Sequence, residues 1–149
     1  MNTIIYKGDW ISNNSELKYE NPWIKLLHHQ VITPGGTPGI YGEVHFKNLA
    51  VGILPIDENG YTWRVGQFRF PINQYSWEIP EGGGILTTDP LQNAKRELIE
   101  EVGLIATTWT ELLQLHLSNS VTDEKAIVFI AEDLTETDNN PEDSENLTI

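Results

Sequence analysis

The chain has 149 residues, 39% of them hydrophobic and 21% charged, which suits a single globular domain with a sizeable core. A formal net charge of −13 argues against binding nucleic acid or anionic lipid, but it permits a small phosphorylated substrate bridged to the acids by divalent cations. With no cysteine and no apolar run of membrane-spanning length, neither disulfides nor a transmembrane helix is expected, and we predict a cytoplasmic protein.

Strands dominate the prediction for the N-terminal part of the chain. Residues 4–11 and 23–32 are apolar enough for strands, and the polar residues 12–15 predict a turn between them. Glycine and proline in residues 33–39 predict a loop. Further strands are expected at residues 41–47 and 49–56.

Turn signals organise the middle of the chain. Residues 57–60 predict a hairpin turn, because the pair Asn59-Gly60 readily adopts positive φ angles, and residues 61–68 predict the returning strand. Residues 80–84, PEGGG, predict a glycine-rich turn that could bring main-chain groups close to an ion or a phosphate. Two more strands, at residues 111–117 and 126–131, and one firm helix make the fold class α+β.

The firm helix is predicted over residues 90–102. Asp89 is a suitable N-cap, Pro90 fits the first helical position, and Gly103 is placed to end the helix in a left-handed turn. One side of the helix is an apolar stripe that should pack on a sheet, and it consists of Leu91, Ala94, Leu98 and Val102.

The opposite side of this helix carries three glutamates, Glu97, Glu100 and Glu101. Carboxylates this close repel one another, and Arg96, four residues before Glu100, relieves only part of the repulsion. Such a cluster suits a hard divalent cation, although glutamates on a helix are more often simply its solvated face.

The run from Arg96 to Leu104, RELIEEVGL, bears on this choice. It matches the second half of the Nudix box, R-E-U-x-E-E-x-G-U, at every defined position, and a chance match in a chain of this length is expected about once in a hundred thousand. In the first half Gly82 is in place, but Thr88 stands where the family has a glutamate that supports the arginine and the metal cluster. The adjacent Asp89 could replace that glutamate, unless its carboxylate is used as the helix cap.

The chain therefore resembles the Nudix hydrolases, and residues 65–84 resemble the ADP-ribose and ADP-sugar pyrophosphatases of that superfamily. The resemblance implies a mixed β-sheet sandwiched by helices, preceded by a small antiparallel β-domain at residues 1–47. The catalytic domain would cover residues 48–134, and an acidic tail residues 135–149. The C-terminal strand and helix of the family are expected to be missing, and a homodimer through the N-terminal strands is implied.

The same resemblance assigns roles at the helix. Glu97 and Glu101 would be the principal metal ligands, with Glu100 a further ligand or an orienting group. The main-chain carbonyl of Glu81 would complete the shell of a Mg²⁺ or Mn²⁺ ion. Arg96 and Glu100 are also expected to support catalysis.

Substrate residues are implied in the same way. The residues assigned to substrate are Arg69 for the phosphates, Trp23 and Tyr41 for an adenine ring, and Glu78 for the nucleoside end. Glu124, on a polar loop that the family uses for a catalytic glutamate, would orient or deprotonate the attacking water. Taken alone, these residues could equally be a strand arginine, core aromatics, the cap of a turn and a surface carboxylate.

The implied function is metal-dependent hydrolysis of the pyrophosphate bond of a nucleoside diphosphate sugar. ADP-ribose or an ADP-sugar is the first choice, with AMP and a sugar phosphate as products. The alternative is a Nudix-fold module that binds a nucleotide or a protein partner without hydrolysis. Thr88 favours that alternative, whereas the intact run from Arg96 to Leu104 disfavours it.

Overall fold

The computed structural model describes residues 4–140 and 146–149, and the chain clusters into two compact units. The N-terminal unit comprises Met1–Asn48 and His116–Glu124, and the second unit comprises Leu49–Leu115 and Lys125–Ile149. Among the described residues, no helix has the length and the apolar character needed to span a bilayer.

Four antiparallel strands form the sheet of the N-terminal unit: β1 (Ile5–Lys7), β2 (Trp10–Glu20), β3 (Ile24–Ile32) and β4 (Pro38–Phe46). They lie in chain order, so β4 is an edge strand.

The turn predicted at residues 12–15 is wrong, because these residues belong to β2. The chain reverses earlier, at Gly8, whose φ of 60° suits a glycine. The polar segment is accommodated in the strand because its main chain pairs with β3 across a register shift between Ser12 and Asn14. The buried hydroxyl of Ser12 also lies 2.9 Å from Nδ1 of His29.

A second sheet forms the centre of the other unit, from β5 (Asn48–Pro55), β8 (Glu81–Ile85), β9 (Leu104–His116) and β10 (Lys125–Glu136). Its strand order is β8-β5-β10-β9, and β5 and β10 are parallel. The sequence LAVGILP of β5 is almost continuously apolar, which is typical of a central strand covered on both faces. The predicted α+β class with a mixed sheet is confirmed.

A separate hairpin joins β6 (Val65–Arg69) to β7 (Gln74–Glu78). The turn predicted at residues 57–60 is present: Oδ1 of Asp57 accepts from the N–H of Asn59 over 2.9 Å, and Gly60 has a φ of 82°. The prediction of one returning strand over residues 61–68 is wrong. Within residues 61–68, Thr62 forms a single antiparallel bridge with Ile56, the residue that follows β5. Strand β6 pairs with β7 and not with β5.

This pairing follows from the short 3₁₀ turn Phe70–Ile72, which ends at Asn73 with a φ of 51°. Asparagine tolerates the left-handed conformation, so the chain can reverse there and return directly along β6. The sequence of residues 70–73 carries no glycine, and for that reason the reversal was not predicted.

Helix α1 (Pro90–Val102) begins and ends where predicted. The carboxylate of Asp89 accepts from the N–H of Leu91 over 3.0 Å, and Gly103 adopts a φ of 68°. Its apolar stripe lies in the core of the unit, with Ala94 and Leu98 fully buried. The other members of that core cluster are Val51, Ile53, Val65, Val102, Leu104, Ala106, Phe129 and Ala131.

The final residues contact the same unit. Thr148 forms an antiparallel bridge with Gly66, with hydrogen bonds of 2.7 and 2.9 Å, and Leu147 packs against the core cluster. Strand β10 runs to Glu136, so the predicted acidic tail at residues 135–149 begins as strand, and part of it (residues 141–145) lies outside the described residues.

Candidate active site

Two glutamates of α1 are buried: Glu97 is 7% exposed and Glu101 is 0% exposed. A carboxylate withdrawn from water to this extent needs polar partners that compensate for the lost hydration. One partner is a main-chain group, because the N–H of Glu81 donates to Oε2 of Glu101 over 2.9 Å. The alternative of a merely solvated helix face is therefore excluded for these two residues.

Gly82 and Gly84 allow β8 to approach this face of α1. Alternate residues of a strand point to one side, and residues four apart on a helix also share a side. A Cβ atom at Gly82 would overlap the carboxylate of Glu97, and one at Gly84 would overlap the amide of Asn93. Residues 81–84 belong to strand β8 rather than to the predicted turn, and two of their glycines, Gly82 and Gly84, make room for polar side chains of the helix.

Arg96 contacts two of the helix glutamates. Its Nη1 donates to Glu100, as the spacing of four residues predicts, and its Nη2 lies 2.5 Å from Oε1 of Glu97. The Nη2 atom also donates to the main-chain oxygen of Gly83 over 3.1 Å, which attaches the guanidinium to β8. Burial by itself would lower the pKa of Arg96, but the charges of Glu97 and Glu100 outweigh it, and the pKa is raised.

A second arginine, Arg69 at the end of β6, is held by two carboxylates. Its Nε and Nη2 donate to Oε2 of Glu78 over 2.9 and 2.6 Å, and Nη2 also donates to Glu81. The hydrogen bonds to Glu78 are the largest cause of a raised pKa for Arg69, and the charge of Glu101 contributes to it. Arg69 therefore lies within the electrostatic field of the buried cluster.

The second unit thus brings together seven of the predicted site residues, namely Arg69, Glu78, Glu81, Arg96, Glu97, Glu100 and Glu101. Two positive guanidinium groups lie among five carboxylates. Such a site is negative overall, so it suits a phosphate only when cations are also present.

The pair of Arg69 and Glu78 makes stability depend on pH. Hydrogen bonds from Arg69 hold the pKa of Glu78 below the ordinary glutamate value of 4.5. The folded state therefore binds this proton less readily than the unfolded chain does. We expect the wild-type protein to lose part of its stability relative to Glu78→Gln as the pH falls from 4.5 through the lowered pKa of Glu78. Urea unfolding of both proteins from neutral to acidic pH measures this, and a stability difference that is constant with pH contradicts it.

The donor set at α1 fits a hard divalent cation, which prefers oxygen ligands. In the described ranges 4–140 and 146–149, however, no three side chains of His, Cys, Asp or Glu are placed to hold one ion. An ion held by Glu97 and Glu101 would therefore take its remaining ligands from main-chain oxygens, water and substrate phosphate. Mg²⁺ is commonly bound in this way, through one or two carboxylates and several waters.

Asp89, the neighbour of Thr88, caps the N-terminus of α1. Its carboxylate caps α1 through the N–H of Leu91, and the main-chain N–H of Thr88 closes a turn onto the oxygen of Ile85 over 2.9 Å. Of the two uses considered for Asp89, the structure shows the helix cap.

The two aromatic residues predicted to hold adenine lie in the N-terminal unit: Trp23 directly precedes β3, and Tyr41 lies on β4 opposite His29. Trp23 is 62% exposed, and its main-chain oxygen accepts from the N–H of Lys47, just after β4. Six residues of β3, or about 20 Å of strand, separate Trp23 from His29, the partner of Tyr41. Tyr41 packs edge-to-face on Trp10, with ring centroids 5.3 Å apart. The role of Trp23 and Tyr41 in holding adenine stays a prediction.

Glu124 also belongs to the N-terminal unit, at the end of the loop that follows β9. Its side chain is half-buried, and burial raises the pKa of its carboxyl. A carboxylate with a raised pKa is a stronger base than an ordinary glutamate, which suits the predicted role.

Sequence reasoning missed Asn93. This residue is 6% exposed, and its Nδ2 atom has no hydrogen-bond partner within the described part of the chain. A buried donor without a partner costs about 1–3 kcal/mol, so it is unusual in a helix interior. The signal that could have identified it was its position four residues before Glu97, on the side of α1 that faces β8.

The family model of the NUDIX domain matches residues 46–148, which is more than half of the chain. The chain belongs to the Nudix family. A second family model, the nucleoside diphosphate sugar hydrolase N-terminal domain, matches residues 13–44 of this Nudix protein.

Two curated relatives share its sequence. An ADP-ribose pyrophosphatase of Mycobacterium tuberculosis (strain ATCC 25618 / H37Rv) is 35% identical over 130 residues, covering 86% of this chain and 62% of the relative. An ADP-ribose pyrophosphatase of Bacillus subtilis (strain 168) is 36% identical over 86 residues, covering 58% of this chain and 46% of the relative. The Nudix chain thus matches less than two thirds of the length of either relative.

A solved structure described as a crystal structure of ADP compounds hydrolase has the same fold. It superimposes with a TM-score of 0.80 over 98% of this chain and 75% of that chain, at 22% sequence identity. The predicted resemblance to Nudix proteins of the ADP-ribose pyrophosphatase branch is confirmed.

Proposed function

We propose that this Nudix protein hydrolyses the pyrophosphate bond of a nucleoside diphosphate sugar with the help of Mg²⁺ or Mn²⁺. ADP-ribose or an ADP-sugar is the proposed substrate, and AMP and a sugar phosphate are the products. The observation that carries the proposal is the pair of buried carboxylates that face β8: Glu97 lies against Gly82, and Glu101 accepts a hydrogen bond from the N–H of Glu81.

The chemistry divides between the ion and the chain. A bound divalent ion neutralises the pyrophosphate and makes a water molecule more acidic. Glu97 and Glu101 would hold that ion. Arg96, attached to β8 through the oxygen of Gly83, would keep Glu97 and Glu100 in place. Water then adds to one phosphorus, the bridging P–O bond breaks, and the leaving phosphate keeps the bonding electrons.

Two further residues would act on the substrate. Arg69 would stabilise negative charge on the leaving phosphate, since its guanidinium is already oriented by Glu78 and Glu81. Glu124 would accept the proton of the attacking water, and its raised pKa favours that transfer near neutral pH.

We further propose the homodimer through the N-terminal strands, because these strands expose large apolar side chains, among them Tyr6, Leu17, Tyr19 and Ile40. Light scattering of the protein in solution measures its mass: twice the mass of one chain supports the homodimer, and the mass of one chain contradicts it.

The test is a panel of ADP-ribose, ADP-glucose, GDP-mannose and diadenosine compounds, each incubated with Mg²⁺, with Mn²⁺ or with a chelator. We expect release of AMP from ADP-ribose or ADP-glucose in the presence of either ion and none with the chelator. Release that persists with the chelator contradicts the metal-dependent mechanism.

A second candidate function is a nucleotide-binding module without hydrolysis, and the presence of Thr88 in place of a glutamate favours it. That alternative predicts no product across the whole panel but measurable heat of binding with ADP-ribose in calorimetry.

A further inference from the structure

The loop that ends at Glu124 is attached to the edge of β4. The N–H of Val44 donates to the oxygen of Val121 over 2.9 Å, and the N–H of Asp123 donates to the oxygen of Val44 over 3.2 Å. Together they form a parallel bridge between Val44 and Thr122. An edge strand offers unpaired main-chain groups, and here the loop takes up part of that edge.

The carboxylate of Asp123 reinforces this attachment. Its Oδ1 accepts a hydrogen bond from the main-chain N–H of Phe46 over 2.9 Å, and its Oδ2 is hydrogen-bonded to Nδ1 of His45. Burial alone would raise the pKa of Asp123, but the N–H of Phe46 and the His45 ring outweigh it, and the pKa is lowered. One ionised side chain therefore binds two successive residues of β4.

One more contact joins the loop to β4, and two others close the loop on itself. The hydroxyl of Tyr41 donates to the oxygen of Ser120 over 2.5 Å. Ser118, with a φ of 46°, accepts from Val121 over 2.8 Å, and the N–H of Leu117 donates to the oxygen of Glu124 over 3.0 Å. The loop is thus an ordered segment, and Glu124 directly follows Asp123, whose carboxylate attaches the loop to β4.

We propose that Asp123 is a positioning residue: by binding His45 and the N–H of Phe46 it fixes the loop on β4 and so fixes Glu124 for catalysis. The proposal rests on the proposed function, in which Glu124 accepts the proton of water. A closed turn alone needs only the contacts among residues 117–124, whereas Asp123 directs its carboxylate out of the turn onto β4. A misplaced base loses rate steeply, because proton transfer requires hydrogen-bond geometry.

The test compares Asp123→Ala, Asp123→Asn, Glu124→Gln and the double variant Asp123→Ala/Glu124→Gln. Asn keeps an acceptor for the N–H of Phe46 but loses the charge that binds His45. Glu16→Ala, an exposed carboxylate on β2 that pairs with Lys18, is the matched control. The measurements are kcat and KM for ADP-ribose with Mg²⁺, and hydrogen exchange of the amides of residues 44 and 46.

In Asp123→Ala we expect kcat to fall about tenfold or more with KM changed less than about threefold, and exchange of both amides to accelerate about tenfold. For Asp123→Asn, both kcat and the exchange rates should lie between those of Asp123→Ala and those of wild type. If Asp123 acts through Glu124, the double variant is no slower than Glu124→Gln alone, because the base that Asp123 positions is already absent. Fully multiplicative losses, or unchanged kcat in Asp123→Ala, overturn the proposal.

The exchange measurement separates this proposal from the proposed function. Should Glu124→Gln retain full activity, the role given to Glu124 fails, and accelerated exchange in Asp123→Ala would still show that Asp123 holds the loop. Exchange that is unchanged in Asp123→Ala and equal to that of Glu16→Ala overturns the positioning role whatever the activity.

Discussion

Glu101→Gln is expected to lower kcat/KM for ADP-ribose by about a thousandfold while leaving the fold intact. The glutamine can still accept a hydrogen bond from the N–H of Glu81, because it keeps one oxygen at the position of the carboxylate. It has no charge, however, and the ligation of a divalent ion contributes several kcal/mol to a transition state, with about 1.4 kcal/mol per factor of ten. Steady-state kinetics with Mg²⁺ measure the loss.

Thermal unfolding with and without Mg²⁺ supplies a second readout. A ligand that binds only the folded state stabilises it by about 2.7 kcal/mol at a hundred times its Kd, so wild type should gain stability and Glu101→Gln should gain none. The control is Glu58→Gln, which changes an exposed loop carboxylate in the same unit. The metal assignment is contradicted by a Glu101→Gln protein that Mg²⁺ stabilises as much as wild type.

Gly82→Ala is expected to reduce activity by about a hundredfold or more with a smaller effect on stability. The new methyl group would occupy the space of the Glu97 carboxylate, which is the far end of a flexible side chain. The carboxylate can move away at a cost typical of overpacking, about 1–3 kcal/mol. It then no longer lies beside Glu101, so the predicted pair of ligands is lost even though the helix remains.

The matched control is Gly42→Ala, also in a β-strand, where a Cβ atom meets nothing within 4 Å. Steady-state kinetics and urea unfolding of both variants separate the loss of activity from the loss of stability. Equal activity in Gly82→Ala and Gly42→Ala would show that the position of Glu97 is unimportant. A loss of activity that merely parallels a loss of folded protein would assign Gly82 a structural role alone.

Both variants test the contact between α1 and β8. The sequence predicted which residues of α1 lie there, but not that β8 covers them. The three glutamates were expected on one helical face, and they are there. Glu97 and Glu101 are nevertheless buried, because β8 lies over them: Gly82 leaves room for the carboxylate of Glu97, and the N–H of Glu81 binds that of Glu101. A helical wheel describes which residues share a side, and it carries no information about what covers that side.

The sequence alone determined α1 and the family of the protein. The cap at Asp89, the end at Gly103, the apolar stripe and the pair of Arg96 with Glu100 all depend on residues within a few positions of one another. Interactions of this kind are set by local main-chain geometry, and for that reason the bounds Pro90–Val102 could be predicted without knowing the rest of the fold.

Only the tertiary structure decided the partners of the strands and the contacts that depend on them. In the hairpin of β6 and β7, Arg69 is opposite Gln74, but its guanidinium reaches Glu78 at the other end of β7. The parallel bridge at Val44 places Asp123 beside His45. Strand pairing joins residues distant in sequence through main-chain groups that every residue carries, so alternation of polar and apolar side chains cannot select the partner.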